Sequence, residues 1–154
     1  MRLAFVLAIL AAGVAVFAAC GGDDDSPALG AGTPVSTLTA RLTNWKVTPS
    51  SRTLAAGKVT VTAVHVMDHM DSAPDGGAMH QLLIAPLPAG AKAGQGKYGK
   101  PVLNLTDLKM GDEKTAEVDL APGTYEVFCS VVEDVKGKTV NHYEKGMYTT
   151  VIVK

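Results

Sequence analysis

The pattern of apolar and polar positions changes twice along the chain. Residues 1–19 are almost entirely apolar, residues 20–35 offer very little to bury, and from about residue 36 apolar and polar residues alternate. An alternation of period two places every second side chain on one face of a half-buried β-strand. The pattern therefore predicts one β-rich domain over residues 36–154, preceded by two segments of a different kind.

Within that domain the alternation predicts seven or eight short strands and no long helix. The clearest runs cover residues 38–47, 58–66, 79–85, 115–120, 124–132 and 148–154. Residues 103–108 fit either a strand or a helical turn, and the glycine-rich residues 90–100 are expected to form an exposed loop. Short strands separated by turn residues at this spacing predict an all-β sandwich or barrel with Greek-key connections.

The first 35 residues predict export and membrane attachment. A single basic residue precedes the apolar run of residues 1–19, which ends in small residues, as is typical of a secretory signal. Phe17-Ala18-Ala19-Cys20 resembles the bacterial lipobox, whose cysteine is lipidated during cleavage, although Phe17 replaces the usual aliphatic residue. An uncleaved anchor is the alternative, because roughly 17 apolar residues are close to the minimum for a spanning helix.

We favour the lipoprotein interpretation. It predicts a signal peptide over residues 1–19 and a flexible tether over residues 20–35 that starts at lipidated Cys20. The domain is then attached to the cell membrane through its lipid and faces the periplasm or the extracellular side.

Charge and motifs exclude several other classes of protein. The formal net charge is −1, and loss of residues 1–19 leaves 13 basic against 15 acidic residues, so no nucleic-acid partner is expected. The sequence contains no glycine-rich phosphate loop, GxSxG or HExxH motif and no His-x-His pair, so we expect no enzymatic activity. Nothing in the sequence demands more than a monomer.

The two cysteines lead to the candidate chemistry. If Cys20 carries lipid, Cys129 has no partner for an intramolecular disulfide, and metal ligation would protect its thiol from oxidation. Burial as an ordinary core residue is the alternative. His142 and Met147 follow Cys129, and thiolate, imidazole and thioether together suit copper. His80, at the start of a predicted strand, is the candidate for the second imidazole of a blue-copper site.

Several short motifs resemble the cupredoxin family and its plastocyanin/azurin-like domains. They are NWKVTP at 44–49, AGKV at 56–59, His80, APGTY at 121–125, FC at 128–129 and HYEKGM at 142–147. The resemblance implies a Greek-key β-sandwich over residues 36–154 that transfers one electron between redox partner proteins. It also implies one type 1 copper per domain, held by His80, Cys129, His142 and Met147.

Two segments differ from the small electron carriers of that family. Twelve residues, 130–141, separate Cys129 from His142, where those carriers have far fewer, and this insert is expected to form a hairpin over the site or to lengthen the path to a partner. The second segment carries His65, Met67, His69 and Met70.

This His/Met segment is a candidate for an auxiliary metal site, or else a polar lid that follows a strand ending at His65; we favour the lid. Two further functions remain as alternatives to electron transfer. One is a copper chaperone or scavenger that uses residues 65–70, and the other is a metal-free β-sandwich interaction module.

Overall fold

The computed structural model describes residues 33–66 and 79–154. These two ranges contain eleven β-strands and no α-helix. The strands are β1 (Thr37–Thr43), β2 (Lys46–Pro49), β3 (Thr53–Leu54), β4 (Gly57–His65), β5 (Met79–Pro86), β6 (Leu103–Lys109), β7 (Glu113–Leu120), β8 (Gly123–Phe128), β9 (Val132–Val135), β10 (Lys138–Asn141) and β11 (Tyr148–Val153). Accordingly, this part of the chain has no helix that could cross a membrane.

Nine of the strands form two sheets that enclose one apolar core. One sheet has the order β2-β1-β4-β7 and the other the order β3-β11-β8-β5-β6. Most neighbouring strands are antiparallel, whereas β1 pairs parallel with β4 and β11 parallel with β3. The chain crosses repeatedly between the sheets, and the predicted all-β sandwich is therefore confirmed.

The strand count differs from the predicted seven or eight because three short strands escaped the pattern. β3 has only two residues, and β9 and β10 form a separate hairpin inside the 130–141 insert. Segments of two to four residues are too short for an alternation of period two to be recognised.

One predicted strand is divided by a turn. The alternation over residues 38–47 predicted a single strand, but the chain reverses at Trp45, whose φ is 60°, and β2 returns antiparallel to β1. Leu42 and Val47 are cross-strand partners and both are buried. Because both residues face the core, the apolar pattern is the same with or without the reversal.

A bulge explains why residues 103–108 were ambiguous. Leu103 and Leu105 pack on the core, but the next core residue is Leu108, three positions later. The register between β5 and β6 shifts at this point, and Asp107 has a φ of 55°. The extra residue turns Leu108 inward, which breaks the alternation of period two.

The outer face of the five-stranded sheet is also covered. Phe128 lies beneath an aromatic cluster that continues over the loop between β5 and β6; its other members are Tyr98, Tyr143 and Tyr148. Glu126 is buried on this face and accepts hydrogen bonds from Gly94 N at 2.7 Å and Tyr143 Oη at 2.8 Å. Burial on both faces makes β8 a fixed base for the residue that follows it, Cys129.

Candidate metal centre

Two neighbouring strands bring His80 and Cys129 together. β5 begins one residue before His80, β8 ends one residue before Cys129, and the two strands pair antiparallel with Leu83 opposite Phe128. The start of β5 and the end of β8 therefore lie at the same end of the sheet. His80 follows the core-facing side of β5, and Cys129 continues the core-facing side of β8, so both side chains point inward.

A short loop between β10 and β11 carries the other two predicted ligands. The Asn141 side chain accepts a hydrogen bond from Tyr143 N at 3.0 Å, which starts a turn immediately around His142. Gly146, with a φ of 99°, closes this turn. Met147 N then donates to His142 O at 3.1 Å, and Cys129 N donates to Met147 O at 3.0 Å. The loop is thus tied to the end of β8 through its own backbone.

Three potential metal ligands converge at this end of the sandwich. The Nδ1 atoms of His80 and His142 are 3.1 Å apart, and Cys129 Sγ lies 3.4 Å from His142 Nδ1 and 3.9 Å from His80 Nδ1. They form the one group of three or more His, Cys, Asp or Glu residues with this geometry in residues 33–66 and 79–154. All three side chains are fully buried.

Burial keeps the imidazole of His80 in the neutral form that a metal requires. Loss of solvent, reinforced by the nearby His65 and His142, lowers the pKa of His80 to about 3. A neutral ring retains a lone pair, and metal affinity depends on ligands that carry no proton at the donor atom.

The environment of Cys129 contains two opposing effects. Burial raises the pKa of the Cys129 thiol, because the charged thiolate is poorly solvated there. Backbone amides of Gln81 and Val131 act in the opposite direction by donating hydrogen bonds to sulfur, the first at 3.4 Å. These amides would stabilise the thiolate that remains when metal binding releases the thiol proton to solvent.

Met147 lies next to the three ligands. Its side chain is fully buried, and its backbone forms hydrogen bonds with the backbones of Cys129 and His142. The structure therefore brings together all four residues predicted for the copper site.

His65 lies behind the site rather than in it. β4 ends at His65, as predicted, and the buried ring packs against His80 with 4.3 Å between ring centroids. His65 Nδ1 donates to the Leu108 carbonyl at 3.0 Å, and His65 is not among the three residues whose donor atoms converge. Its predicted companions Met67, His69 and Met70 lie outside the described residues, as do Cys20 and the signal segment, so the auxiliary site and lipidation stay predictions.

Trp45 and Glu133 cover His142, and no sequence motif assigns either of them a role at the site. Trp45 packs edge to face with the His142 ring, with centroids 5.0 Å apart and an interplanar angle of 82°. Glu133, on β9, accepts a hydrogen bond from His142 Nε2 at 2.8 Å. The position of Trp45 follows from the unpredicted turn after β1, and no sequence pattern marks Glu133, so neither contact was accessible from the sequence.

The donor set fits a copper ion. Nitrogen and sulfur ligands bound about 2.0 to 2.3 Å from one ion in a trigonal plane are about 3.5 to 3.8 Å from one another, close to the observed 3.1 to 3.9 Å. Two Nδ1 atoms in mutual contact also need a proton or a cation between them. Thiolate and imidazole with a nearby thioether match the preference of copper.

Solved structures support this fold. Reduced auracyanin from the photosynthetic bacterium Roseiflexus castenholzii is 18% identical, and the match has a TM-score of 0.54 and covers 79% of this chain and 99% of that one. Auracyanin B is 18% identical with a TM-score of 0.47, over 82% of this chain and 94% of that one. Rusticyanin from Thiobacillus ferrooxidans is 18% identical with a TM-score of 0.47, over 77% and 76% of the two chains.

The likeness to the Roseiflexus auracyanin supports the assignment of the fold. The two matches with TM-scores of 0.47 are too weak to support it further. No protein-family model matches the chain, and no curated protein matches it in sequence. At 18% identity the likeness extends to the fold. The motifs of the sequence and the arrangement of the sheets agree, and the chain has the cupredoxin fold.

Proposed function

We propose that this chain binds one copper ion and transfers one electron at a time between redox partner proteins outside the cytoplasmic membrane. The observation that carries the proposal is the convergence of His80 Nδ1, His142 Nδ1 and Cys129 Sγ in a fully buried site. Such a set of soft and borderline donors on a rigid β-sandwich supports copper more than zinc, because Met147 adds a thioether beside them.

The residues divide the work of such a site. His80, His142 and Cys129 would hold the ion, and Met147 would supply a weak thioether ligand that tunes its potential. Bound copper supplies the chemistry by alternating between Cu(I) and Cu(II). The protein contributes a site whose ligands are fixed by two paired strands and one tied loop, so that little rearrangement accompanies the change of charge.

The electron balance is that of a carrier. A reduced donor protein loses one electron to the site, and an oxidised acceptor later gains that same electron, with no bond made or broken in a substrate. Trp45 supports an exchange route at His142, because its half-buried indole contacts the His142 ring and reaches the protein surface. Lys145 lies over the same indole, with Nζ 5.8 Å from the ring centroid.

Copper titration of the purified full-length chain in detergent tests the proposal. One equivalent of Cu(II) added to metal-free protein should produce an intense visible band from thiolate-to-copper charge transfer. Cys129→Ser should abolish that band, because the thiolate is its source. The matched control is Cys20→Ser, which makes the same substitution at the other cysteine and should keep the band.

The other outcomes separate the alternatives. Copper bound without a visible thiolate band would contradict the electron carrier and favour a chaperone or scavenger that uses residues 65–70. Failure to bind copper would favour an interaction module. A band unchanged in Cys129→Ser would contradict the ligand assignment itself.

A further inference from the structure

The insert between Cys129 and His142 folds over the candidate metal centre. β9 and β10 pair antiparallel from Val132 opposite Asn141 to Val135 opposite Lys138. The two residues that connect them, Lys136 and Gly137, have φ values of 54° and 77°, as in the type I′ turn that matches the twist of a hairpin. Ten of the twelve inserted residues therefore form a defined element rather than a loose loop.

One side chain of this hairpin reaches the site. The Glu133 carboxylate lies 2.8 Å from His142 Nε2, on the ring edge opposite Nδ1. The His142 side chain is fully buried, whereas 21% of the Glu133 side chain is exposed. The carboxylate thus lies between the imidazole and solvent at the point where the ring would otherwise meet water.

The contact decides which nitrogen of His142 carries the proton. A carboxylate oxygen only accepts, so Nε2 must donate, and in the neutral ring Nδ1 then keeps its lone pair. That lone pair faces His80 Nδ1 and Cys129 Sγ at 3.1 and 3.4 Å. A carboxylate bonded to the far nitrogen of a metal-binding imidazole also makes the ring a stronger donor.

We propose that Glu133 is a positioning residue for the metal centre: it fixes His142 in the tautomer that presents Nδ1, and its negative charge favours Cu(II) over Cu(I). The effect of Glu133 on copper rests on the proposed function. The effect of Glu133 on the tautomer of His142 rests on the geometry alone. The proximity of the carboxylate stabilises the more positive oxidation state by Coulomb attraction, which lowers the reduction potential.

Three variants of the full-length chain separate hydrogen bond from charge. Glu133→Gln keeps an acceptor oxygen and removes the charge, and Glu133→Ala removes both. Asp134→Asn is the matched control: this exposed neighbour on the same strand loses one charge but keeps the acceptor for Gly137 N, and Asp134 makes no contact with His142 in the structure.

The first measurement needs no copper. Long-range ¹H–¹⁵N NMR spectra of the metal-free protein should show His142 protonated at Nε2 in the wild type, Glu133→Gln and Asp134→Asn. In Glu133→Ala the two tautomers should become mixed. The positioning role is refuted if Glu133→Ala keeps the wild-type tautomer while the dispersed spectrum shows an intact fold.

The second measurement compares the two oxidation states of copper. We expect the affinity for Cu(II) to fall about 10- to 100-fold in Glu133→Ala. In Glu133→Gln the Cu(II) affinity should fall about tenfold relative to the Cu(I) affinity, which corresponds to a rise in reduction potential of about 59 mV for one electron. Asp134→Asn should change the reduction potential far less, because the Asp134 carboxylate is hydrogen-bonded to Gly137 N rather than to His142.

The outcomes distinguish this proposal from the proposed function. Equal potentials in Glu133→Gln and Asp134→Asn would overturn the charge effect while the copper site stands. If the wild-type chain forms no thiolate–copper band, electron transfer fails and with it the effect on potential. The tautomer of His142 in the metal-free protein would then still decide whether Glu133 positions the ring.

Discussion

The imidazole of His80 illustrates how much a single position depends on its surroundings. In the sequence it is a histidine that begins an apolar strand; in the structure its ring lies between His65, His142 and Cys129 with no contact to solvent. His80 Nε2 is buried without a hydrogen-bond partner in the part of the chain that the structure describes. A charged ring is therefore costly here, which is why burial lowers its pKa to about 3.

This lowered pKa predicts a pH dependence of stability in the metal-free protein. Between about pH 6.5 and 3 the unfolded chain binds a proton at His80 that the folded chain does not. The unfolded state then binds more protons than the folded state, so the free energy of unfolding increases with pH. The folded protein therefore loses stability as the pH falls through this window. The slope from this one group is at most about 1.4 kcal/mol per pH unit.

Urea denaturation of metal-free wild type and His80→Gln between pH 4 and 7 measures this slope. The two proteins share every other titrating group, so the difference between their slopes belongs to His80. The wild type should lose more stability than the variant as the pH falls from 6.5 to 4. Parallel curves would contradict the assignment of a neutral buried imidazole.

At the level of elements, the loop between β5 and β6 supports the site from outside the core. Its Gly94 lies flat against the ring of Tyr148, and Gly94 N donates to the buried Glu126. Tyr148 directly follows Met147. Tyr143 donates a hydrogen bond to the same Glu126 and directly follows His142.

Burial of Tyr143 raises its pKa to about 12, so the Tyr143 hydroxyl stays protonated and keeps donating to Glu126. The aromatic cluster thus fixes the backbone on which two ligand candidates are carried.

Alanine at Gly94 should disturb this support. Gly90 and Gly94 both have a φ of 80°, but a Cβ at Gly90 meets no atom within 4 Å, whereas one at Gly94 overlaps the Tyr148 ring. We expect Gly90→Ala to lower the free energy of unfolding by about 1 to 2 kcal/mol through its backbone conformation alone. Gly94→Ala should cost about 1 to 3 kcal/mol more because of the added overlap.

Chemical denaturation of the two variants provides the comparison, with Gly90→Ala as the control for the shared φ. Equal losses of stability would show that Tyr148 moves aside freely and that the cluster is not a rigid support. A larger loss in Gly94→Ala, accompanied by a shifted visible band in the copper-loaded protein, would connect the cluster to the metal centre.

At the scale of the whole molecule, the predicted N-terminal segments would decide where the proposed electron carrier works. Residues 1–32 lie outside the described part of the chain, so signal, tether and lipid are predictions from sequence. The described domain begins with Val35 bridged to Leu54 of β3, and a tether of the predicted length would join the domain to the membrane surface.

Mass spectrometry of the membrane-extracted protein tests the predicted attachment. The wild type should lack residues 1–19 and exceed the mass of the remaining peptide by that of the lipid. Cys129→Ser should retain the lipid and serve as the control, whereas Cys20→Ser should lose it. A wild-type mass equal to the intact chain of 154 residues would instead support the uncleaved anchor.

The sequence by itself determined the class of fold, the approximate extent of most of the longer strands and the four residues that meet at the site. Alternation of period two reports directly which side chains face a core, and Val59, Val61 and Ala63 are buried along β4 as that rule requires. The ligand candidates were accessible because their chemistry is unusual and their motifs resemble those of cupredoxins. Each of these inferences depends on local order along the chain.

Only the tertiary structure decided what surrounds those residues. Trp45 contacts His142 because of a turn that leaves the apolar pattern unchanged. Glu133 contacts His142, nine positions later in the chain, because the hairpin brings the two residues together. Hydrogen bonds of this kind depend on the direction of individual side chains in three dimensions, which hydrophobic periodicity does not encode. The sequence allowed the insert to form a hairpin over the site, and the structure adds that Glu133 on this hairpin bonds to His142.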